Sequence, residues 1–390
     1  VAVVAVDSLS FRARVRSCAL AAALLAALVS GTAGPAAPAA AADVSPTPAA
    51  TVGATGKAVY DIVVLPSGRT ILGGDFTALG GFARANLGAV LASGAADRTF
   101  TPRTDGPVHA IAASADGSTL FIGGRFTEVN GEPRHNLAAI DARTGALVTD
   151  WRADTTGGVP TVTALAVHGD DLLVGGRFSG IDGSSKEKLA KLDATTGDLV
   201  AWNTWVNGAV LDMKIGPDGT TLWVGGEFKR IRGVDRPYFG AMDIASGEPT
   251  GYAPNGNSSR VLALAVSADG RWVYTTNNGN RTRGYKPEVS PDARWVRRAD
   301  GNTQALAIWR NSLYLGGHFS RLTDTRTSRP FFAAVNRFDG KNKRWNPKAR
   351  GANRGCWALV VEGNRLHAGG GFTHFKKRSQ RLYARFDARS

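Results

Sequence analysis

Cysteine is nearly absent from this chain. Only Cys18 and Cys356 occur among 390 residues, which leaves no material for a disulfide framework or a cysteine-built metal site. Cys356 stands at an apolar strand position, where a buried structural thiol is expected rather than a nucleophile. Long apolar runs are missing too: none reaches the ~18 residues of a membrane-spanning helix. There is no helical periodicity and no collagen or coiled-coil repeat. The linear signatures of catalysis are absent: no G-x-S-x-G elbow, H-E-x-x-H, Walker A loop or G-x-G-x-x-G. The six histidines, His109, His135, His168, His318, His367 and His374, are scattered. Glycine, by contrast, is abundant at 48 residues spread along the chain, which points to many turns.

Charge is unevenly shared. The formal net charge is +15, yet residues 1–280 carry 23 Lys/Arg against 25 Asp/Glu, whereas residues 281–390 carry 24 against 7. Such asymmetry suits an anionic partner. At the other end, Arg12, Arg14 and Arg16 precede the apolar stretch Ala19 to Val29. An Ala/Pro-rich segment then ends at Ala40-Ala41-Ala42-Asp43. This is the pattern of an export signal, with cleavage expected after Ala42. There is no Arg-Arg pair ahead of the apolar stretch, so general secretion is favoured over the twin-arginine route. The expected organisation is a leader over 1–42, a Pro/Ala-rich linker with a closing strand over 43–58, and one repeat domain over 59–390.

The repeat is carried by Gly-Gly-x-Phe. It occurs at Gly73, Gly123, Gly175, Gly225, Gly316 and Gly369, with spacings of 50, 52, 50, 91 and 53 residues. The long gap hides a degenerate copy near residue 275, where Trp272-Val273-Tyr274-Thr275-Thr276 aligns with Leu222-Trp223-Val224-Gly225-Gly226. That makes seven units. Each unit opens with a small-and-branched run such as Val108-His109-Ala110-Ile111-Ala112. An Asp-Gly pair follows at Asp116, Asp218 and Asp269, the chemistry of a tight hairpin rather than of calcium. A second strand ends in Gly-Gly-x-Phe. A third reads like Asn136-Leu137-Ala138-Ala139-Ile140-Asp141 and closes on Thr-Gly or Ser-Gly. A fourth short strand is expected around Phe100, Trp151, Trp202, Tyr252, Trp295 and Trp345. Four short strands per ~50 residues form the unit of a β-propeller blade. The expectation is therefore an all-β, seven-bladed propeller of four-stranded antiparallel blades. The last unit ends on a third strand, so a segment near Thr51 to Gly56 is expected to complete its blade.

The run Gly123-Gly124-Arg125-Phe126-Thr127-Glu128-Val129-Asn130-Gly131, with Asn136 to Asp141 and Thr144-Gly145 after it, resembles the delta-60 repeat β-propeller family. The likeness extends from Val59 to the end of the chain. It is strong in the first four units. The fifth lacks the glycine pair, and the last two lose parts of the Val-Asn-Gly hairpin. The resemblance implies a propeller in an exported or cell-surface bacterial protein. It implies no catalytic residues.

Candidate sites follow from positions where the units disagree. The x of Gly-Gly-x-Phe reads Asp75, Arg125, Arg177, Glu227, Asn277, His318 and Gly371, a ring of mixed charge for one channel mouth. The third residue of the first strand is alanine in five units but Asp61 and Asp212 in the others, with Lys214 nearby. Those two carboxylates are the candidates for a channel-bound divalent cation or an acid–base pair; no other cofactor is expected. The basic clusters Arg294, Arg297 and Arg298, then Lys341, Lys343 and Arg344, then Lys376, Lys377 and Arg378 are the candidate ligand surface. The expected partner is an anionic polysaccharide or cell-wall polymer, or another surface protein, rather than nucleic acid. The chain is read as an extracellular, monomeric binding or scaffold module without a membrane span. A propeller hydrolase or lactonase with a channel metal, and a lectin with pockets between blades, are the alternatives.

Overall fold

Runs of small and β-branched residues punctuated by Asp-Gly and Thr-Gly turns fold as antiparallel hairpins throughout residues 43–389, the part of the chain that the computed structural model describes. The expected export leader over 1–42 lies outside these residues. No helix occurs among the described residues, and none is therefore long and apolar enough to cross a membrane.

Seven principal sheets follow one another. Their leading strands are Ala54–Val64, Val108–Ala113, Thr161–His168, Val210–Ile215, Val261–Val266, Thr303–Trp309 and Ala349–Glu362. Each pairs antiparallel with a second strand: Thr70–Leu79, Thr119–Gly124, Asp171–Arg177, Thr221–Gly226, Val273–Asn277, Ser312–Gly317 and Arg365–Phe375. The third strands are Leu87–Val90, Leu137–Asp141, Leu189–Asp193, Phe239–Asp243, Arg281–Tyr285, Phe332–Asn336 and Tyr383–Asp387. Each sheet is open, and none closes on itself.

The turns are held as their chemistry dictates. Gly117, Gly219 and Gly270 all have φ near +70°. The Asp116 carboxylate accepts hydrogen bonds from Ser114 Oγ and Ser118 N, and these hold its pKa down at about 2. Asp218 and Asp269 are used in the same way.

The fourth strand is a correction. Only the fifth sheet has a full one, Ala293–Arg298. Elsewhere it shrinks to one bridge: Val90–Ala96, Ile140–Leu147, Leu192–Leu199, Met242–Pro249 and Val335–Asn342. Phe100, Trp151, Trp202 and Trp345 lie beyond these bridges outside any strand, yet all are buried. Their place is set by apolar burial, worth about 2–3 kcal/mol for a side chain of this size, and not by a hydrogen-bond ladder.

The closing segment is a second correction. Val44 bridges Ala388, Ser45 N donates to Asp387 O and Ala49 N donates to Arg385 O. The segment beside the third strand of the seventh sheet is thus 44–49. Residues from Ala54 onward already belong to the leading strand of the first sheet. Val44 is fully buried, and Asp43 accepts from Lys343 Nζ at 3.1 Å and from Ser312 Oγ at 2.5 Å.

Seven apolar clusters lie between successive sheets, not within them. One joins Leu65, Ile71 and Leu87 of the first repeat to Ile111, Leu120 and Ile122 of the second. Another joins Val59, Ile62 and Leu72 of the first sheet to Ala358 and Tyr383 of the seventh. The six Gly-Gly-x-Phe phenylalanines, from Phe76 to Phe372, are all buried.

The first glycine of each pair serves this packing. A Cβ on Gly123 would sit 2.4 Å from Val162 Cγ1 of the next sheet, and one on Gly225 would sit 2.6 Å from Val261 Cγ1. A Cβ on Gly369 of the seventh sheet would meet Val59 Cγ1 of the first at 2.7 Å. Cys356 packs in the same way: its thiol is buried against Gly316, and burial pushes its pKa well up.

Candidate functional site

The second glycine of each pair answers a different demand. In every leading strand one residue is skipped by the pairing: Val108 faces Gly124 and Ala110 faces Gly123, leaving His109 out of register. The same one-residue bulge falls at Tyr60, Thr163, Leu211, Leu262, Gln304 and Trp357. At the bulge the backbones close in. A Cβ on Gly124 would lie 2.2 Å from Pro107 O, and one on Gly226 would lie 2.0 Å from Ala209 O. A bulge re-aims the extra side chain away from the regular face. Here all seven extra residues line one cavity of about 620 Å³.

The cavity wall has two unlike arcs. One is aromatic. Tyr60 stacks on His109 with centroids 4.9 Å apart and meets Trp357 edge-on at 5.5 Å. Trp357 in turn meets His318 edge-on at 5.1 Å, and His318 Nδ1 pairs with Gln304 Oε1. Burial lowers the pKa of both His109 and His318, so both rings are neutral at pH 7. The other arc is ionic: Arg177 and Arg260 both bind Glu227 Oε1, the latter at 2.8 Å.

Asp61, Asp212 and Lys214 line the same cavity. Asp61 accepts from Ile62 N at 2.8 Å and, with its other oxygen, from Ile111 N of the next sheet at 2.7 Å. Asp212 Oδ2 accepts from Leu264 N of the next sheet at 2.7 Å, while its Oδ1 holds Lys214 Nζ at 2.6 Å. Burial raises the Asp61 pKa to about 6, against the lowering pull of its two backbone N–H groups and of Lys214. For Lys214 partial desolvation at the cavity wall works downward, but the Asp212 carboxylate, helped by Asp61, outweighs it and holds the pKa above the usual lysine value.

The two aspartates that depart from the alanine pattern are therefore ties between successive sheets. As a metal pair they fit poorly. Both Asp61 oxygens are engaged by N–H donors, and an ammonium already sits on Asp212. Among the described residues, no group of three or more His, Cys, Asp or Glu side chains is placed to hold a metal ion.

The expected mouth ring is brought together in part. Arg177 and Glu227 are in contact and line the cavity. Asp75 pairs with Lys57 at 2.7 Å, and both Asp75 and the exposed Arg125 act electrostatically on His109. His318 reaches the cavity through Trp357 and Gln304. Asn277 is a misassignment. Ala263 faces Thr276 and Val261 faces Asn277, so Thr276 and Asn277 take the places of the glycine pair and Asn278 takes the x position. Asn277 is fully buried, whereas Asn278 is exposed and accepts from Asn302 Nδ2. Tyr60, His109, Gln304, Trp357 and Arg260 were missed. The signal was available: a residue of variable type stands between two small or branched ones, as in Val108-His109-Ala110 and Cys356-Trp357-Ala358.

The nine basic residues divide by task. Arg297 donates to Gly340 O and pairs with Asp324, Lys343 holds Asp43, and Arg378 donates to Pro48 O. These three fasten loops and the closing segment. Lys341 pairs with Asp339 at 3.5 Å on the surface. Arg294, Arg298, Arg344, Lys376 and Lys377 are exposed. Beside the first two clusters, Trp295 Nε1 donates to Arg337 O, joining the fifth sheet to the sixth, and Trp345 Nε1 donates to Ser45 O, joining the sixth to the closing segment.

No family model matches this chain, and no curated protein matches it.

Proposed function

We propose that the seven sheets are the blades of a seven-bladed β-propeller, and that the protein is an exported binding module holding an anionic cell-surface polymer on the outer edges of its fifth to seventh blades. The order of packing supports the ring. Every apolar cluster is shared by two successive sheets, and the seventh sheet meets the first through Gly369 and Val59. The likeness to delta-60 repeats supports the same architecture. The basic n-region and short apolar stretch ahead of Asp43 support export.

The observation that carries the binding role is the exposure of Arg294, Arg298 and Arg344 along edges tied by Trp295, Arg297 and Trp345, with Lys376 and Lys377 exposed at the hairpin turn of the seventh sheet. Cations held close on a rigid surface attract a polyanion and release its counterions, so binding weakens as salt rises. The test is retention of residues 43–390 on an anionic cell-wall preparation across a salt gradient. Wild-type protein should elute at moderate salt, and the quadruple variant R294A/R298A/R344A/K377A at clearly lower salt. Identical elution of the two would remove the proposal.

A further inference from the structure

We propose that the central cavity is a separate carbohydrate site, built for a short uronic-acid oligosaccharide. A pyranose ring lies on the Tyr60–Trp357 arc and its carboxylate is taken by Arg177 and Arg260. The inference concerns the cavity alone and stands whether or not the basic edges bind a polymer.

Three features carry it. The first is size and composition. About 620 Å³ of space, walled by Leu211, Leu262 and the aromatic arc with a few convergent polar groups, falls in the range of sites that enclose a small ligand. The second is the arc itself. Tyr60 and Trp357 meet at right angles, 5.5 Å apart, and His109 covers one face of Tyr60, so the two rings form a corner with the remaining apolar ring surface. Such surface takes the C–H side of a sugar ring, while neutral His109 and the Gln304 amide offer hydrogen bonds to hydroxyls.

The third is the charge arrangement. Two guanidinium groups converge on one oxygen of one carboxylate, so the cluster keeps one positive charge in excess. Their side chains are 48% and 44% accessible, against 23% for Glu227. Each fork keeps N–H donors that Glu227 does not use, and a planar carboxylate matches that geometry. Glu227 Oε2 can accept from a hydroxyl. A neutral sugar would leave the unused guanidinium N–H groups without a charged acceptor. A compact phosphate would satisfy the arginines but leave the aromatic corner empty. A uronic-acid unit uses both arcs.

The sequence pattern agrees with a site shaped for a ligand. Bulge residues from successive blades occupy equivalent positions, yet they read Tyr60, His109, Thr163, Leu211, Leu262, Gln304 and Trp357. The blade needs an extra residue there. It does not need an aromatic corner on one side and aliphatic residues on the other.

The test is titration calorimetry of the protein with trigalacturonate, with maltotriose as the neutral control and glucose 6-phosphate as a compact anion. The expected result is one site per chain, with trigalacturonate bound about tenfold or more tighter than either control, as a charge-assisted contact implies. Arg260→Ala leaves Arg177 on Glu227, so the buried end of the carboxylate stays paired and the fold should hold. The variant should lose about tenfold for trigalacturonate and little for maltotriose. Trp357→Leu should weaken both sugars. Near-ultraviolet circular dichroism verifies that each variant is folded. Equal affinity for maltotriose, tighter binding of glucose 6-phosphate, an unchanged Arg260→Ala titration, or no heat at millimolar trigalacturonate would each overturn the assignment.

Discussion

Replacing the two glycines of one pair separately should give unequal losses, because each meets a different obstacle. At Gly123 an added methyl would lie 2.4 Å from Val162 Cγ1 and 3.3 Å from Leu165 Cδ1. Val162 Cβ also lies 2.9 Å away; all three are side-chain atoms in the cluster between the second and third sheets, so relief needs Val162 to turn or the two sheets to part slightly. Overpacking of this kind costs about 1–3 kcal/mol. At Gly124 the methyl would lie 2.2 Å from Pro107 O and 3.0 Å from Val108 Cα. These are backbone atoms held by the bulge, and Pro107 O accepts from Arg125 N at 2.9 Å. Moving that carbonyl adds the loss of a hydrogen bond, about 1 kcal/mol, to a strain no rotamer can relieve. Gly124→Ala should therefore cost about 2–4 kcal/mol and exceed Gly123→Ala. Gly131 is the internal control. Nothing lies within 4 Å of a Cβ there, and only its φ of +91° resists a side chain, so Gly131→Ala should cost about 1 kcal/mol. Urea unfolding followed by tryptophan fluorescence ranks the three. If Gly124→Ala proves milder than Gly123→Ala, or matches Gly131→Ala, the separate roles assigned to the two glycines are wrong.

Three further outcomes are expected. His367 is buried with Nδ1 on Tyr383 Oη, and burial plus nearby Arg385 and Arg365 lowers its pKa from 6.5 to about 4. The folded state thus resists its protonation, and the stability it supports is full above pH 6.5 and lost as pH falls toward 4. Between those limits the wild type should lose about 3 kcal/mol more than His367→Gln, and parallel pH–stability curves would contradict this. Deleting residues 43–49 removes fully buried Val44, worth about 2 kcal/mol, and should lower the melting temperature by roughly 3 °C; an unchanged melt would show that the segment fastens nothing. Asp212→Asn keeps an acceptor for Leu264 N but withdraws the charge beside Lys214. The Lys214 pKa should then fall in a pH titration followed by NMR of ¹³C-methylated lysines, and a constant value would show that Asp212 does not hold it up.

The number of repeats, the hairpin turns and the leading strands were legible because they rest on local chemistry: Asp-Gly and Thr-Gly turns, and alternating small and branched residues. Three features were not. The fifth sheet was read one residue out of register because Thr275-Thr276 offers no glycine pair to anchor it; Thr276 and Asn277 fill that place. The fourth strands were expected on the strength of their aromatics, yet Trp151 and Trp202 are fixed by burial and need no ladder. The closing segment was placed near Thr51, whereas apolar Val44 provides the buried anchor. In the candidate site, Arg177 and Glu227 were found as variable positions within a repeat. Tyr60, His109 and Trp357 escaped because a bulge is a property of pairing between strands, and no single strand announces it. Asp61 and Asp212 were noticed as exceptions but assigned to a metal. Their partners, the N–H groups of Ile111 and Leu264, stand about fifty residues further along the chain.

The central claim is that seven successive sheets close into a ring. Arg389 N lies 3.4 Å from Asp43 O, and the loop at Gly158, between the second and third sheets, is open on every side, with Val159 61% exposed. A circular permutant joining residue 389 to residue 43 by a short Gly-Ser linker, with new ends between Gly158 and Val159, keeps all seven interfaces of a ring. Its thermal unfolding should be one cooperative transition within a few degrees of the parent protein. A permutant that melts in two separate steps, or fails to fold while the parent does, would contradict closure.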